Sequence, residues 1–591
     1  MRAKLSLLIL LGALMLFGFA PVYIGVGQAS TPILPFSQVQ PGMKGIGKTV
    51  VRGTTIEDFF IEVIDVIEGP QLLNSFILIK AAGKAIEESG GIAQGMSGSP
   101  VFVDGKLIGA ISMAAAWAVP QDALALVTPI ESMLELLREG QTLAAPTLSG
   151  VIPVRSRSGR IRELRFVTAL PSPSELANQA QTLFARKVQN LIFVSGLRAR
   201  GFALLTAGPN RDDVLVLQHT TELPLPISLE QTSRFRLGNE GLTFLETGVA
   251  GSRWQATRDL KPGSALAVLL SKGDVTLTSI GTVTYVEDKK ILAFGHPFLF
   301  KGPAQYFLTG AFIYTTFRTL QVPFKYGAPD AVVLGTIRED RAQGIAGLLG
   351  AEPDQVALKI RVRDRDRRSE KSFSIDVVEM ADLLPSLVLS TTTNALDLAL
   401  NRVSGGTVKA SYTVRLVKDG TPLSVIRRDL FFEWKDIALA PGLQLAQIIA
   451  NLALNPFQRV DLKEIIVDLE FTEEPKVAEI VGLETDKEMY KPGEAVRFKV
   501  VLQPFRGPVF TQEGTFTLPE DLKEDTLTLR ATGGREEERR SVTSIEELVK
   551  AISESKSNGH ITIEAGSAAA QLQLDWFVKG RASKKLKIQR G

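Results

Sequence analysis

The chain has 591 residues, 45% of them hydrophobic, with a mean hydropathy of +0.12, which supplies cores for about three to five domains and excludes a disordered polymer. Its 67 Lys and Arg against 64 Asp and Glu leave a net charge of +3, so no global charge points to a nucleic-acid partner. Cysteine is absent, which removes disulfides, thiolate metal sites, a cysteine nucleophile and lipid attachment through an N-terminal cysteine.

Arg2 and Lys4 precede an apolar run at 7–20, then Pro21 and small residues ending at Ala29 and Ser30. This pattern predicts a secretory signal over residues 1–29, with an uncleaved membrane anchor as the alternative because the run approaches the roughly 20 residues that span a bilayer. Either way the bulk of the chain is expected outside the cytoplasm, periplasmic or extracellular at the cell envelope. Residues 35–142 predict strands at 48–52, 59–67 and 75–80, a glycine-rich serine loop with a hairpin after it, and a closing helix at 128–139. Residues 143–260 open with a Ser, Pro, Gly and Arg-rich stretch, predict a helix near 174–187 and strands from 190 onward, and carry no motif. Residues 261–352 are strand-rich and contain His296. Residues 353–462 predict strands at 355–363, 373–379 and 407–417 with helices at 384–402 and 441–454, an α+β accessory region. From 463 to 591 several short strands follow, and the turn at 486–494 resembles the opening of an immunoglobulin-like sandwich. The charged run at 533–540 reads as a solvated loop.

The chemistry concentrates in Gly95-Met96-Ser97-Gly98-Ser99-Pro100, followed by alternating strands around Asp104-Gly105. Gly95 and Gly98 permit a sharp turn around Ser97, so that the amides of Gly95 and Ser97 converge on one developing oxyanion. Asp104-Gly105 suits a type I′ hairpin turn, which sets the loop on a rigid sheet. A serine hydroxyl needs a base, and histidine suits that task near neutral pH. Of three histidines, His219 lies in a strand without glycine support and His560 near the C-terminus, so His296 in Gly295-His296-Pro297 is the candidate base. Ser99 is the competing nucleophile two residues along.

Residues 55–67, the run from Gly90 to Pro100 and the hairpin after it resemble the nucleophile half of the SpoIVB family of stage IV sporulation serine peptidases. Residues 281–297, ending in Phe294-Gly295-His296-Pro297, resemble that family's histidine half. In the family the histidine half comes first, whereas here Ser97 precedes His296 by roughly 200 residues. Triads recur in different chain orders, so reversal is physically tolerable. The resemblance implies a mainly β chain with a chymotrypsin-like double β-barrel peptidase core split by an insert. It implies Ser97 as nucleophile, His296 as general base, and Gly95 and Ser97 as oxyanion donors. By chymotrypsin-like spacing, Gly91 and Ile92 would floor the specificity pocket, and with no charge there cleavage is expected after an uncharged residue. The family's aspartate upstream of the serine has no counterpart in 79–85, so the third triad member is unassigned. No PDZ domain of the family's kind is seen.

The expectation is therefore an exported serine endopeptidase acting on a protein or peptide substrate, with no metal or organic cofactor, no nucleic acid, and a protein partner for the C-terminal β domain. The alternatives are a noncatalytic cell-envelope scaffold on a degenerate peptidase fold and a protease that cuts only itself.

Overall fold

Residues 44–129 form six strands that return on themselves in the computed structural model. They are β1 (Lys44–Val50), β2 (Ile56–Glu68), β3 (Phe76–Ala82), β4 (Pro100–Val103), β5 (Lys106–Ala115) and β6 (Ala123–Pro129). Pairing runs β1-β2-β3-β6-β5-β4 and closes through β4 onto β1, all antiparallel. The alternation in the sequence explains the closure. Along β2, Phe59, Ile61 and Val63 point inward with Ile77, Ile79, Val101, Val103, Ile108 and Val127, while Phe60 and Glu62 face out. Both Asp104 and Gly105 have positive φ, 49° and 73°, as the expected hairpin turn requires.

A second ring follows from β7 (Ala265–Gly273), β8 (Thr276–Glu287), β9 (Lys290–Ala293), β10 (Gly302–Phe317), β11 (Phe324–Arg341) and β12 (Gly344–Leu349). Its neighbours run β7-β8-β9-β12-β11-β10 and close through β10 onto β7. The two barrels thus share one strand order. Ser97 lies between the third and fourth strands of the first, and His296 between the third and fourth strands of the second. The chain is mainly β with a double-barrel core and a β-rich C-terminal region.

The structure describes residues 31–115, 123–138, 151–167, 172, 174–175, 181–186, 190–206, 242–246, 257–318, 323–534 and 542–589. The secretory signal expected over 1–29, His219 and most of the charged run at 533–540 lie outside them. Among the described residues no helix is long and apolar enough to cross a membrane.

The stretch between the barrels differs from its sequence-based outline. Where a helix was expected near 174–187, Thr182–Arg186 is a strand, parallel to Glu163–Val167 and antiparallel to the end of β5. Those partners are distant in sequence, and their ladder hydrogen bonds outweigh local helix propensity. Strand Asn190–Ser195 joins the second barrel's sheet by pairing with Thr276 to Ser279 of β8.

After β12 the same sheet continues through Ser369–Val378, Gln355–Asp364, Asp461–Thr472, Gly406–Lys418 and Thr421–Glu433, backed by helices Leu384–Leu400 and Leu439–Ala453. Strand Asp461–Thr472 runs across position 463 and pairs on both sides with strands of this region, so the C-terminal β region begins after it. That region contains a four-stranded and a five-stranded sheet around a core of Val496, Phe498, Val500, Leu529 and Ile561.

Candidate active site

The serine loop turns where it does because two glycines take conformations closed to other residues. Gly95 and Gly98 have φ of 88° and 89°. A Cβ on Gly98 would lie 2.0 Å from the Thr282 carbonyl oxygen and 2.5 Å from the Phe294 nitrogen, so the loop sits directly against the second barrel. Three hydrogen bonds from β8 hold it there. The Thr282 amide donates to the Ser97 carbonyl at 2.9 Å, and the hydroxyls of Thr282 and Thr284 donate to the carbonyls of Gly95 and Gly98 at 2.9 and 2.8 Å. From the other side, the Thr128 hydroxyl of β6 donates to the Gly295 carbonyl beside His296 at 2.7 Å.

The loop amides are divided in a way that matters for chemistry. Met96 donates to the Ala93 carbonyl, Gly98 to Ile111 and Ser99 to Met96. The amides of Gly95 and Ser97 have no acceptor among the described residues. The Gln94 carbonyl is held by the Lys325 amide at 2.9 Å, and in a trans peptide the Gly95 N–H must then point the opposite way.

Ser97 and His296 line one pocket with Gln94, Gly95, Phe294 and Lys325, and strand Asn190–Ser195 contributes Asn190, Leu191 and Phe193. His296 is buried, 6% exposed, and its Nδ1 lies 2.7 Å from the Pro297 carbonyl oxygen. A carbonyl accepts and cannot donate, so Nδ1 carries the proton and Nε2 of the neutral ring holds a lone pair. Nε2 is buried without a partner among the described residues. Burial lowers the imidazole pKa to about 4, offset in part by the Pro297 carbonyl, so the ring is a neutral base at pH 7. Ser99 Oγ is also buried without a partner.

Gly91 and Ile92 do not line this pocket. The Gly91 amide is tied to the Ile86 carbonyl and Ile92 packs on the first barrel's core, because the Gln94 amide is bonded to the Pro323 carbonyl and draws the loop along that path. The residues beside Ser97 and His296 are instead Leu191, Phe193, Ser279 and Ile280.

Three polar residues of the site have no motif in the sequence. Asp340, buried in β11, accepts from the Phe298 and Leu299 amides at 2.8 and 2.7 Å and from the Tyr306 hydroxyl at 3.1 Å, fixing the loop after His296. Burial raises its carboxyl above the usual range, against those bonds. Asn190 Nδ2 donates to the carbonyls of Pro297 and Phe298. Lys325, 1% exposed, donates from Nζ to the hydroxyls of Thr49 at 2.9 Å and Thr282 at 3.3 Å, one in each barrel, and burial lowers its pKa to about 7.

The comparison with known families bears on the serine half. Residues 24–116 match the family model of SpoIVB peptidase S55. The match covers about a sixth of the chain, from before β1 to just past β5, and contains Ser97 but not His296. Over those residues the chain is similar to the SpoIVB-type serine peptidases. No curated protein and no solved structure matches the chain.

Proposed function

We propose that this chain is an exported serine endopeptidase in which Ser97 is the nucleophile and His296 the general base. The observation that carries this reading is the convergence of Ser97 and His296, from equivalent loops of two barrels, on one buried pocket beside the Gly95 and Ser97 amides, which have no acceptor among the described residues. In the reaction, His296 Nε2 takes the Ser97 proton as Oγ attacks the scissile carbonyl carbon. The oxyanion then accepts from the Gly95 and Ser97 amides. Nε2 returns the proton to the leaving amine, the C–N bond breaks, and water hydrolyses the acyl-enzyme by the same route.

The lining of Leu191, Phe193 and Ile280 supports cleavage after an uncharged residue. Export follows from the charged, apolar and small-residue order of residues 1–29. The C-terminal β region, read as immunoglobulin-like, is the surface proposed for a protein partner.

One observation favours the noncatalytic scaffold reading: a carbonyl, not a carboxylate, faces His296 Nδ1. A neutral acceptor fixes the tautomer but stabilises the imidazolium less than a carboxylate would, which lowers the rate and leaves the proton path intact. Incubating the full chain with denatured casein separates the readings. Cleavage by wild type and Ser99→Ala, absent in Ser97→Ala, is the expected result. No cleavage by folded protein favours the scaffold, and loss of only the chain's own processing in Ser97→Ala marks self-cleavage.

A further inference from the structure

The strand Asn190–Ser195 belongs to the stretch between the two barrels that carries no sequence motif, yet its first residue reaches the catalytic loop. Asn190 Nδ2 donates to the Pro297 carbonyl oxygen at 3.0 Å and to the Phe298 carbonyl oxygen at 2.6 Å. The Pro297 oxygen is the atom that lies 2.7 Å from His296 Nδ1. A carbonyl oxygen has two lone pairs, so it accepts the imidazole N–H and the amide N–H together.

We infer that Asn190 is a positioning residue for His296, clamping the Pro297 carbonyl so that the imidazole is held as the Nδ1–H tautomer with its Nε2 lone pair directed into the Ser97 pocket. The role takes the serine peptidase reading as its premise. Without the clamp, the Pro297–Phe298 peptide is held only through its Phe298 N–H on Asp340, and the Pro297 carbonyl can shift away from the ring nitrogen it marks. Asp340 holds the same two peptides by their other edge, accepting from the Phe298 and Leu299 N–H groups, so the loop is gripped by its carbonyls from one strand and by its amides from another. A carboxylate in a triad supplies orientation and negative charge; here the amide supplies orientation alone. That accounts for a catalytic loop with no acid at His296. It also makes the stretch between the barrels part of the site, since its strand pairs with β8 at Thr276 to Ser279 and places Asn190, Leu191 and Phe193 around the pocket.

The test uses the full chain with ¹⁵N-labelled histidine, His296→Gln serving to assign the His296 signals. Wild type is compared with Asn190→Leu, which keeps the approximate shape and removes the donor, and with Asn190→Gln, which keeps an amide. The expected result is a single Nδ1–H tautomer in wild type and a mixture in Asn190→Leu. Fluorophosphonate labelling of Ser97 should slow by up to about 100-fold in Asn190→Leu, with partial recovery in Asn190→Gln. Should Asn190→Leu fail to fold, Asn190→Ser, too short to reach the Pro297 carbonyl, makes the same comparison. An unchanged tautomer and unchanged labelling in the donor-less variant would overturn the role and leave the peptidase reading standing. A tautomer shift in Asn190→Leu, with a folded wild type that never labels, would support the clamp and remove the peptidase reading.

Discussion

His296 Nδ1 and the carbonyl oxygen of Pro297, the next residue in the chain, lie 2.7 Å apart, and this contact sets the character of the site. The ring is buried with its tautomer fixed, and among the described residues no opposite charge acts on it. Desolvation therefore dominates its titration, and its pKa falls to about 4 from an ordinary 6.5.

This predicts an unusual acid limb. Because the folded pKa lies below the ordinary value, His296 remains a neutral base as pH falls through 6.5 and becomes protonated only near pH 4. Ser97 labelling by a fluorophosphonate should hold its rate from pH 7 to about 5 and fall below that. A half-maximal point near 6.5 to 7 would contradict the desolvated, uncompensated ring.

Lys325 predicts a pH-dependent stability. Its pKa is about 7 in the folded chain and 10.5 without burial, so between these values the unfolded chain binds the extra proton and stability rises with pH. Below pH 7 both states are charged and the burial penalty is present in full. Lys325→Met should therefore raise Tm most at pH 6 and progressively less toward pH 10, as measured by calorimetry. A constant difference in Tm across that range would contradict the buried-cation account.

Gly98 and Gly105 make a paired test of the loop. Both have positive φ, but a Cβ on Gly98 meets the Thr282 carbonyl at 2.0 Å, whereas one on Gly105 meets nothing within 4 Å. Gly98→Ala should cost more than about 2 kcal/mol and abolish labelling, while Gly105→Ala should cost about 1 kcal/mol and retain it. Denaturant unfolding and labelling of both variants check this.

Asp340→Asn keeps the side-chain shape but turns one acceptor into a donor facing a backbone N–H. With the Phe298 and Leu299 amides both bonded to the carboxylate, a loss of about 1 to 3 kcal/mol is expected, together with slower labelling. Unchanged unfolding and labelling would show that Asn190 alone holds the loop.

Much of the site was legible from local pattern. The glycines around Ser97, the Asp104-Gly105 turn and the alternation of β2 each encode structure within a few residues, and both barrels follow from such strands. What joins the barrels is encoded at long range. Asn190 lies 107 residues from Pro297, Asp340 lies 42 from Phe298, and Lys325 lies 276 from Thr49, and no residue type or spacing near them announces those contacts. The course of the loop before Ser97 is also encoded at long range: Gly91 and Ile92 were chosen by counting back from Ser97, while that loop follows the pairing of Gln94 with Pro323 and Lys325 and leaves both outside the Ser97 pocket. The shared strand order of the barrels sets Ser97 and His296 in equivalent loops.

The central claim is an activated Ser97, and it is tested most directly by reacting the folded full chain with a fluorophosphonate and identifying the modified residue by peptide mass spectrometry. A single adduct on Ser97, lost in Ser97→Ala and in His296→Ala but retained in Ser99→Ala, is the predicted result. Folded protein that takes no adduct, or one whose adduct survives His296→Ala at full rate, would contradict it.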